Sequence, residues 1–305
     1  MNYATQTKQR KDTVTHITIR RALLALVMPL TTLVLASPAL ATEHHPKGEF
    51  APFAECPLST AGLSDCVLAE SSAGEFTVGN RTVPIKSTIT LQGGFIEEKT
   101  GLKFVGAENG ETLSKTPQYV PGGLFNIVAP EYLNKEQKEK FDEFINKGIT
   151  GVTETTELAG PASDIGLSTE NLLTGKGTAL SLPVKIKLDN RFLGSSCYIG
   201  SDSSPIVIDF TTGTTEPPPP NEPIKGSPGK AEFNEEFTLI TLTGGRLVNN
   251  SYGAPGAVGC GGEFSSIVDP AVDAGLGLPA AAGTNTAILE GKLSTANAEA
   301  VKASE

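Results

Sequence analysis

The segment between Cys197 and Cys260 constrains this chain more than any other. It runs 62 residues and carries Pro217-Pro-Pro-Pro220 inside a stretch, residues 211–230, that is unsuited to a sheet because proline has no amide proton to donate. Strand-like runs stand ahead of each cysteine: Leu182-Pro-Val-Lys-Ile-Lys-Leu188 before Cys197, and Phe237-Thr-Leu-Ile-Thr-Leu242 before Cys260. A disulfide between the two would clamp these β segments together. The proline-rich stretch then becomes a semi-rigid excursion tethered at its base, in preference to a linker between independent domains.

Disulfides need an oxidising compartment, and the first 41 residues supply the export signal. Lys8, Arg10, Lys11, Arg20 and Arg21 precede a mostly apolar run, Ala22 to Ala36, and Ala39-Leu-Ala41 offers small residues for cleavage. The apolar run is shorter than the roughly 20 residues needed to span a bilayer. Arg20-Arg21 lacks the rest of a twin-arginine motif, which favours the general secretory route. The segment holds five basic residues and one acidic one, so the formal net charge of −10 becomes −14 in a mature chain of residues 42–305. Such a polyanion lacks the attraction to phosphate on which nucleic-acid binding rests, and anionic lipid disfavours it too. No nucleic acid and no integral membrane segment are expected, and the location is secreted, extracellular or cell-wall associated.

Four cysteines, Cys56, Cys66, Cys197 and Cys260, allow three pairings. The reading adopted joins Cys56 to Cys66 in a short local loop and Cys197 to Cys260 across the long one. The spacings do not resemble paired C-x-x-C zinc ligands. Strand signals start near Glu75: Phe76-Thr-Val78 and Arg81-Thr-Val83 flank Gly79-Asn80, a hairpin turn. Ile89-Thr-Leu91 is expected to end at Gly93-Gly94, and Leu102-Lys-Phe-Val105 before Asn109-Gly110. One helix is well signalled, with Asn134 as its cap, Gln137 as capping-box partner, Gly148 at its end, and Phe141, Phe144 and Ile145 as its apolar stripe. From Gly148 to Gly177 the chain reads as loop, and it reads as loop again after Cys260 through Thr286. A short terminal helix follows Ala287-Ile-Leu289. The fold class is therefore mainly β, an antiparallel β-sandwich or open barrel with one peripheral helix and a disulfide-tethered proline-rich loop. Echoes between Ile89-Thr-Leu-Gln-Gly-Gly and Ile240-Thr-Leu-Thr-Gly-Gly, and between Val83-Pro-Ile-Lys and Leu182-Pro-Val-Lys, raise a duplication with halves 71–176 and 177–301.

The chemistry is read chiefly by exclusion. His16 lies in the export segment, and His44 and His45 stand at the new terminus, so the folded body has no histidine for a Ser-His-Asp triad or a histidine-ligated zinc. No G-x-S-x-G elbow occurs. Oxidised cysteines are not nucleophiles. The acids Glu97, Glu98, Glu235, Glu236, Asp202 and Asp209 have no spacing diagnostic of a glycosidase pair, and a solvated surface accounts for them. Loop carboxylates Asp269 and Asp273 are the remaining calcium candidates, without an EF-hand pattern. Tyr198 and Tyr252, beside glycine-rich segments, are expected to cover the sulfurs. No catalytic residue, metal site or cofactor is assigned.

Phe53-Ala-Glu-Cys56-Pro, Leu182-Pro-Val-Lys with Arg191-Phe-Leu-Gly-Ser-Ser-Cys197-Tyr-Ile-Gly200, and Gly277-Leu-Pro-Ala-Ala-Ala-Gly-Thr-Asn-Thr286 resemble segments of an uncharacterised family of secreted actinobacterial proteins. The resemblance spans roughly Lys47 to Val301. It implies an extracytoplasmic location and structural cysteines, and it implies no activity. The resulting expectation is a soluble secreted or wall-associated protein without catalysis, binding an envelope component or another protein. A secreted carboxylate-dependent hydrolase is the alternative.

Overall fold

The computed structural model describes residues 44–98 and 101–305. The export segment expected over residues 1–41 lies outside them. Fourteen strands and four α-helices are defined among the described residues. The first strands are β1 (Leu63–Val78), β2 (Arg81–Pro84), β3 (Ile89–Glu98), β4 (Gly101–Gly106) and β5 (Gln118–Tyr119). After α1 (Lys135–Lys147) come β6 (Thr153–Leu158), β7 (Gly166–Leu167), α2 (Thr169–Thr174), β8 (Leu180–Asp189), β9 (Tyr198–Ile199) and β10 (Ile206–Phe210). The rest are β11 (Lys230–Phe233), β12 (Leu239–Asn249), β13 (Ala257–Val258), α3 (Ser265–Leu276), β14 (Thr286–Asn297) and α4 (Ala298–Ala303).

These strands make two antiparallel sheets packed face to face in a sandwich-like body. One sheet runs β11-β12-β14-β1-β3-β4 with β2 added to β1; the other runs β13-β9-β8-β6-β5 with β7 and β10 also on β8. Strict alternation sets the packing: along β8, Leu180, Leu182, Val184, Ile186 and Leu188 are buried and the residues between them are not. They meet Val67, Phe95 and Phe104 of the opposite sheet, where Phe95 and Phe104 pack edge to face at 5.5 Å. Strand β14 pairs with both β1 and β12, so strands from the two candidate halves share one sheet. The echoed segments Val83-Pro-Ile-Lys and Leu182-Pro-Val-Lys fall in different sheets.

Several expectations are corrected by the packing. Strand β3 does not stop at Gly93-Gly94. It continues to Glu98, because the glycines are where neighbours come closest: a Cβ at Gly93 would sit 2.3 Å from the Val105 carbonyl oxygen, and one at Gly94 2.7 Å from that of Asp65. Strand β12 begins at Leu239. Phe237 lies outside it, exposed and at φ 57°, in a turn where the Asn234 side chain accepts from the amides of Thr238 and Leu239. Helix α1 has the full Asn134–Gln137 capping box and ends at Gly148, but Ile145 alone of its stripe is buried and Phe144 is exposed. The reach from Gly148 to Gly177 holds β6, β7 and α2, and that after Cys260 holds α3.

The disulfides are Cys56–Cys66 and Cys197–Cys260. The first fixes an N-terminal 3-10 turn against β1, in a separate apolar cluster of Phe50, Phe53, Leu58, Leu68 and Val301. The second does not clamp β8 to β12, which belong to different sheets. It joins the flanks of β9 and β13, themselves paired at the margin of the second sheet. The proline-rich stretch is folded back on the body: bridges run from Thr211 to Val248 and from Ser227 to Arg246, and the Asn221 amide donates to the carbonyls of Asn250 and Asn285. Among the described residues, no helix is long and apolar enough to cross a membrane. Two disulfides suggest an extracytoplasmic protein.

Candidate ligand cavity

Residues of both sheets and of α3 line a cavity of about 450 Å³. That volume lies in the range of small-molecule sites, roughly 300–1,000 Å³. Val78 and Val83 come from the β1–β2 hairpin, Val120 and Leu124 from the segment after β5, and Val152 from the approach to β6. Leu188 and Ile199 come from the second sheet, and Val268, Val272 and Leu276 from α3. Phe125 and Phe192 also line it and are more than half exposed, which places them at the mouth.

Local chemistry holds these walls. The buried Asn190 amide donates to the carbonyls of Ile149 and Gly151, while its oxygen accepts from the Phe192 amide, so one side chain ties the approach to β6 to the Asn190–Leu193 turn. Helix α3 is fastened at two places. Near its middle, Asp269 accepts from the amides of Gly259 and Cys260, and Asp273 from that of Ala257 at 2.6 Å. At its end, the Leu276 carbonyl accepts from the Asn80 amide at 2.8 Å. Gly79 (φ 60°) is obligatory there, since a Cβ would sit 2.0 Å from the Leu276 oxygen. The two aspartates, four residues apart, share one side of α3, and Val268, Val272 and Leu276 present the other to the cavity. Asp269 and Asp273 are thereby committed to backbone amides. Among the described residues no group of three or more His, Cys, Asp or Glu side chains is placed to hold a metal ion.

Two lining side chains are polar, Arg81 and Glu154. Glu154 is paired with Leu188 across the sheet and turns to the core side with it. Burial raises its carboxyl from 4.5 to about 8, with no charge or hydrogen bond set against that shift, so the group is uncharged at neutral pH. Its cross-strand neighbour Gln118 is engaged elsewhere, accepting from the amides of Lys86 and Ser87 and donating to the Ser87 carbonyl. Arg81 donates through Nη1 to Asn80 Oδ1 at 2.9 Å, and its Nε is buried with no hydrogen-bond partner among the described residues. Burial also lowers the affinity of the guanidinium for its proton. It stays a cation nonetheless, because its starting pKa is so high.

Tyr252 is buried in the core cluster that also holds Cys197 and Cys260. Its phenol donates toward the carbonyls of Thr77 and Thr286, 2.9 and 3.0 Å away, pinning the end of β1 to the start of β14. Its pKa is pushed up, first by burial and then by Glu154. Tyr252→Phe removes the hydroxyl donor that these two half-buried carbonyls share and is expected to cost about 1 kcal/mol, read as a lower urea midpoint at unchanged slope. Tyr198 instead lies under the Lys185 ammonium, 5.3 Å from the ring centre.

None of the six surface acids lines the cavity. Glu98 pairs with Lys103, Asp202 with Lys185, and Asp209 accepts from the Ser181 hydroxyl; Glu97, Glu235 and Glu236 are exposed. His44 is not free at the terminus but meets Glu305 at 2.7 Å. No family model, curated protein or solved structure matches this chain.

Proposed function

We propose that this is a secreted or wall-associated binding protein, without catalytic activity, that holds a small apolar molecule of the cell envelope in the cavity under α3. The observation that carries this is the lining itself: among the described residues, an apolar cavity of ligand size with just two polar side chains, one of them a buried carboxyl with no hydrogen-bond partner. Binding pockets are built this way, with a mostly apolar wall and a few polar groups that orient the guest. The alternative, a carboxylate-dependent hydrolase, needs two carboxyl groups within about 5–10 Å on either side of a scissile bond. Glu154 is the one carboxyl on this lining, so the geometry favours the binder.

The test is uptake of an apolar fluorophore. Nile red added to the mature protein is expected to brighten and saturate, and Val152→Phe, which puts an aromatic ring into the cavity, is expected to weaken that uptake at least about tenfold with little change in fold. Saturable binding that ignores Val152→Phe would place the site elsewhere. Turnover in a glycosidase or esterase screen would remove the non-catalytic reading.

A further inference from the structure

The two polar side chains on the lining do not neutralise one another. Among the described residues Arg81 makes no ion pair; Asn80 is its one hydrogen-bond partner, through Nη1, and Nε has none. Glu154, the only carboxyl on the lining, carries no charge at neutral pH. The cavity therefore has one uncompensated positive charge against apolar walls. Arg81 is half-exposed, so water shares its charge, but a guest that brings an anion supplies the counter-charge the lining lacks. A guanidinium recognises a carboxylate through charge-assisted hydrogen bonds, and on Arg81 it is Nη1 that Asn80 occupies. An amine guest would meet like charge, and an alcohol would leave the cation unpaired.

We propose that the cavity takes an amphipathic monocarboxylate, a fatty-acid-like molecule, with its carboxylate at Arg81 and its hydrocarbon against Val83, Val152, Leu188 and Val272. This names the guest of the binding function proposed above and rests on it. Glu154 then acts as a gate on affinity. While protonated it does not repel the guest; once ionised it adds a negative charge to the same lining, so affinity for the acid falls as pH rises through about 8. The other groups around Glu154 leave this sign unchanged. The Tyr252 phenol is held neutral by burial, Gln118 is uncharged, and Asp269 and Asp273 bond to the backbone between Ala257 and Cys260, off the lining.

The test is displacement of Nile red from the mature protein by dodecanoic acid, dodecanol and dodecylamine, one chain length with three heads. At neutral pH the acid is expected to displace at a concentration at least about tenfold below the alcohol, with the amine weakest. Arg81→Gln should erase the acid's advantage while leaving the alcohol's midpoint in place, and Arg81→Lys, which keeps the charge, should restore part of it. Near pH 10 the wild type should lose about tenfold in acid affinity, and Glu154→Gln should not. Acid and alcohol displacing equally, or the amine displacing first, would overturn the carboxylate assignment while leaving the binding function standing. No Nile red uptake at all would overturn both.

Discussion

Replacing Cys197 and Cys260 together by alanine is expected to lower the unfolding free energy by about 4 kcal/mol, and replacing Cys56 and Cys66 by about 3 kcal/mol. The difference comes from the loops closed, with sequence separations of 63 and 10, since a longer loop gives the unfolded chain more entropy when it is released. The functional consequences should separate further. The Cys56–Cys66 bridge serves the cluster around Phe53 and Val301, remote from the cavity lining. The Cys197–Cys260 bridge holds the backbone whose amides Asp269 and Asp273 grip, and those aspartates seat α3 on the cavity. Loss of that bridge should weaken Nile red uptake even under conditions where the variant is still folded, whereas loss of the other should not. Urea titrations of the two double variants, with uptake measured in the folded baseline, test both statements. An equal stability loss for the two pairs would mean that the long loop stays compact when unfolded. Unchanged uptake without Cys197–Cys260 would mean that α3 is held by the Asn80–Leu276 end alone.

What could be read ahead of the structure, and what could not, follows from how each element buries its side chains. Strand β8 was legible because its alternation is complete from Leu180 to Leu188, and α1 because its ends are written in Asn134, Gln137 and Gly148. Strand β6, Thr-Glu-Thr-Thr-Glu-Leu, gave no such signal. Its core-facing position is held by Glu154 where an apolar residue would have marked a strand, and pairing with β8 supplies the stability that its own side chains do not. The candidate site was hidden for that reason: the residue that makes β6 illegible is the one that gives the cavity its chemistry. Helix α3 was masked by Pro270 and Gly275, both poor helix formers, and is held in place by hydrogen bonds to a distant loop. The glycines at 93 and 94 read as a strand end, when their smallness instead admits Val105 and Asp65. Both disulfides follow the pairing suggested by spacing, but spacing carries no information on which sheet each cysteine would join.

Glu154→Gln is expected to stabilise the protein above neutral pH, an unusual outcome for a change at a buried site. The carboxyl titrates at about 8 in the folded chain and near 4.5 when unfolded and hydrated. Between those values the unfolded state has released a proton that the folded state keeps, so unfolding is favoured increasingly as pH rises through that window. Stability is greatest below about pH 4.5 as far as this group decides it, falls by about 3 kcal/mol on reaching pH 7, and levels off above about 8. The glutamine amide does not ionise, so the variant should lack this descent. The two proteins should then be close in stability near pH 4 and differ by about 5 kcal/mol near pH 9. Urea unfolding across that range measures the difference directly; parallel curves would show that water reaches the carboxyl and that its burial carries no such cost. A core position that destabilises its own fold at neutral pH is hard to explain by packing, because leucine or glutamine would serve β6 better. It is explained if the side chain faces a guest, and a buried carboxyl on the same apolar lining as the Arg81 guanidinium is an arrangement such a guest requires.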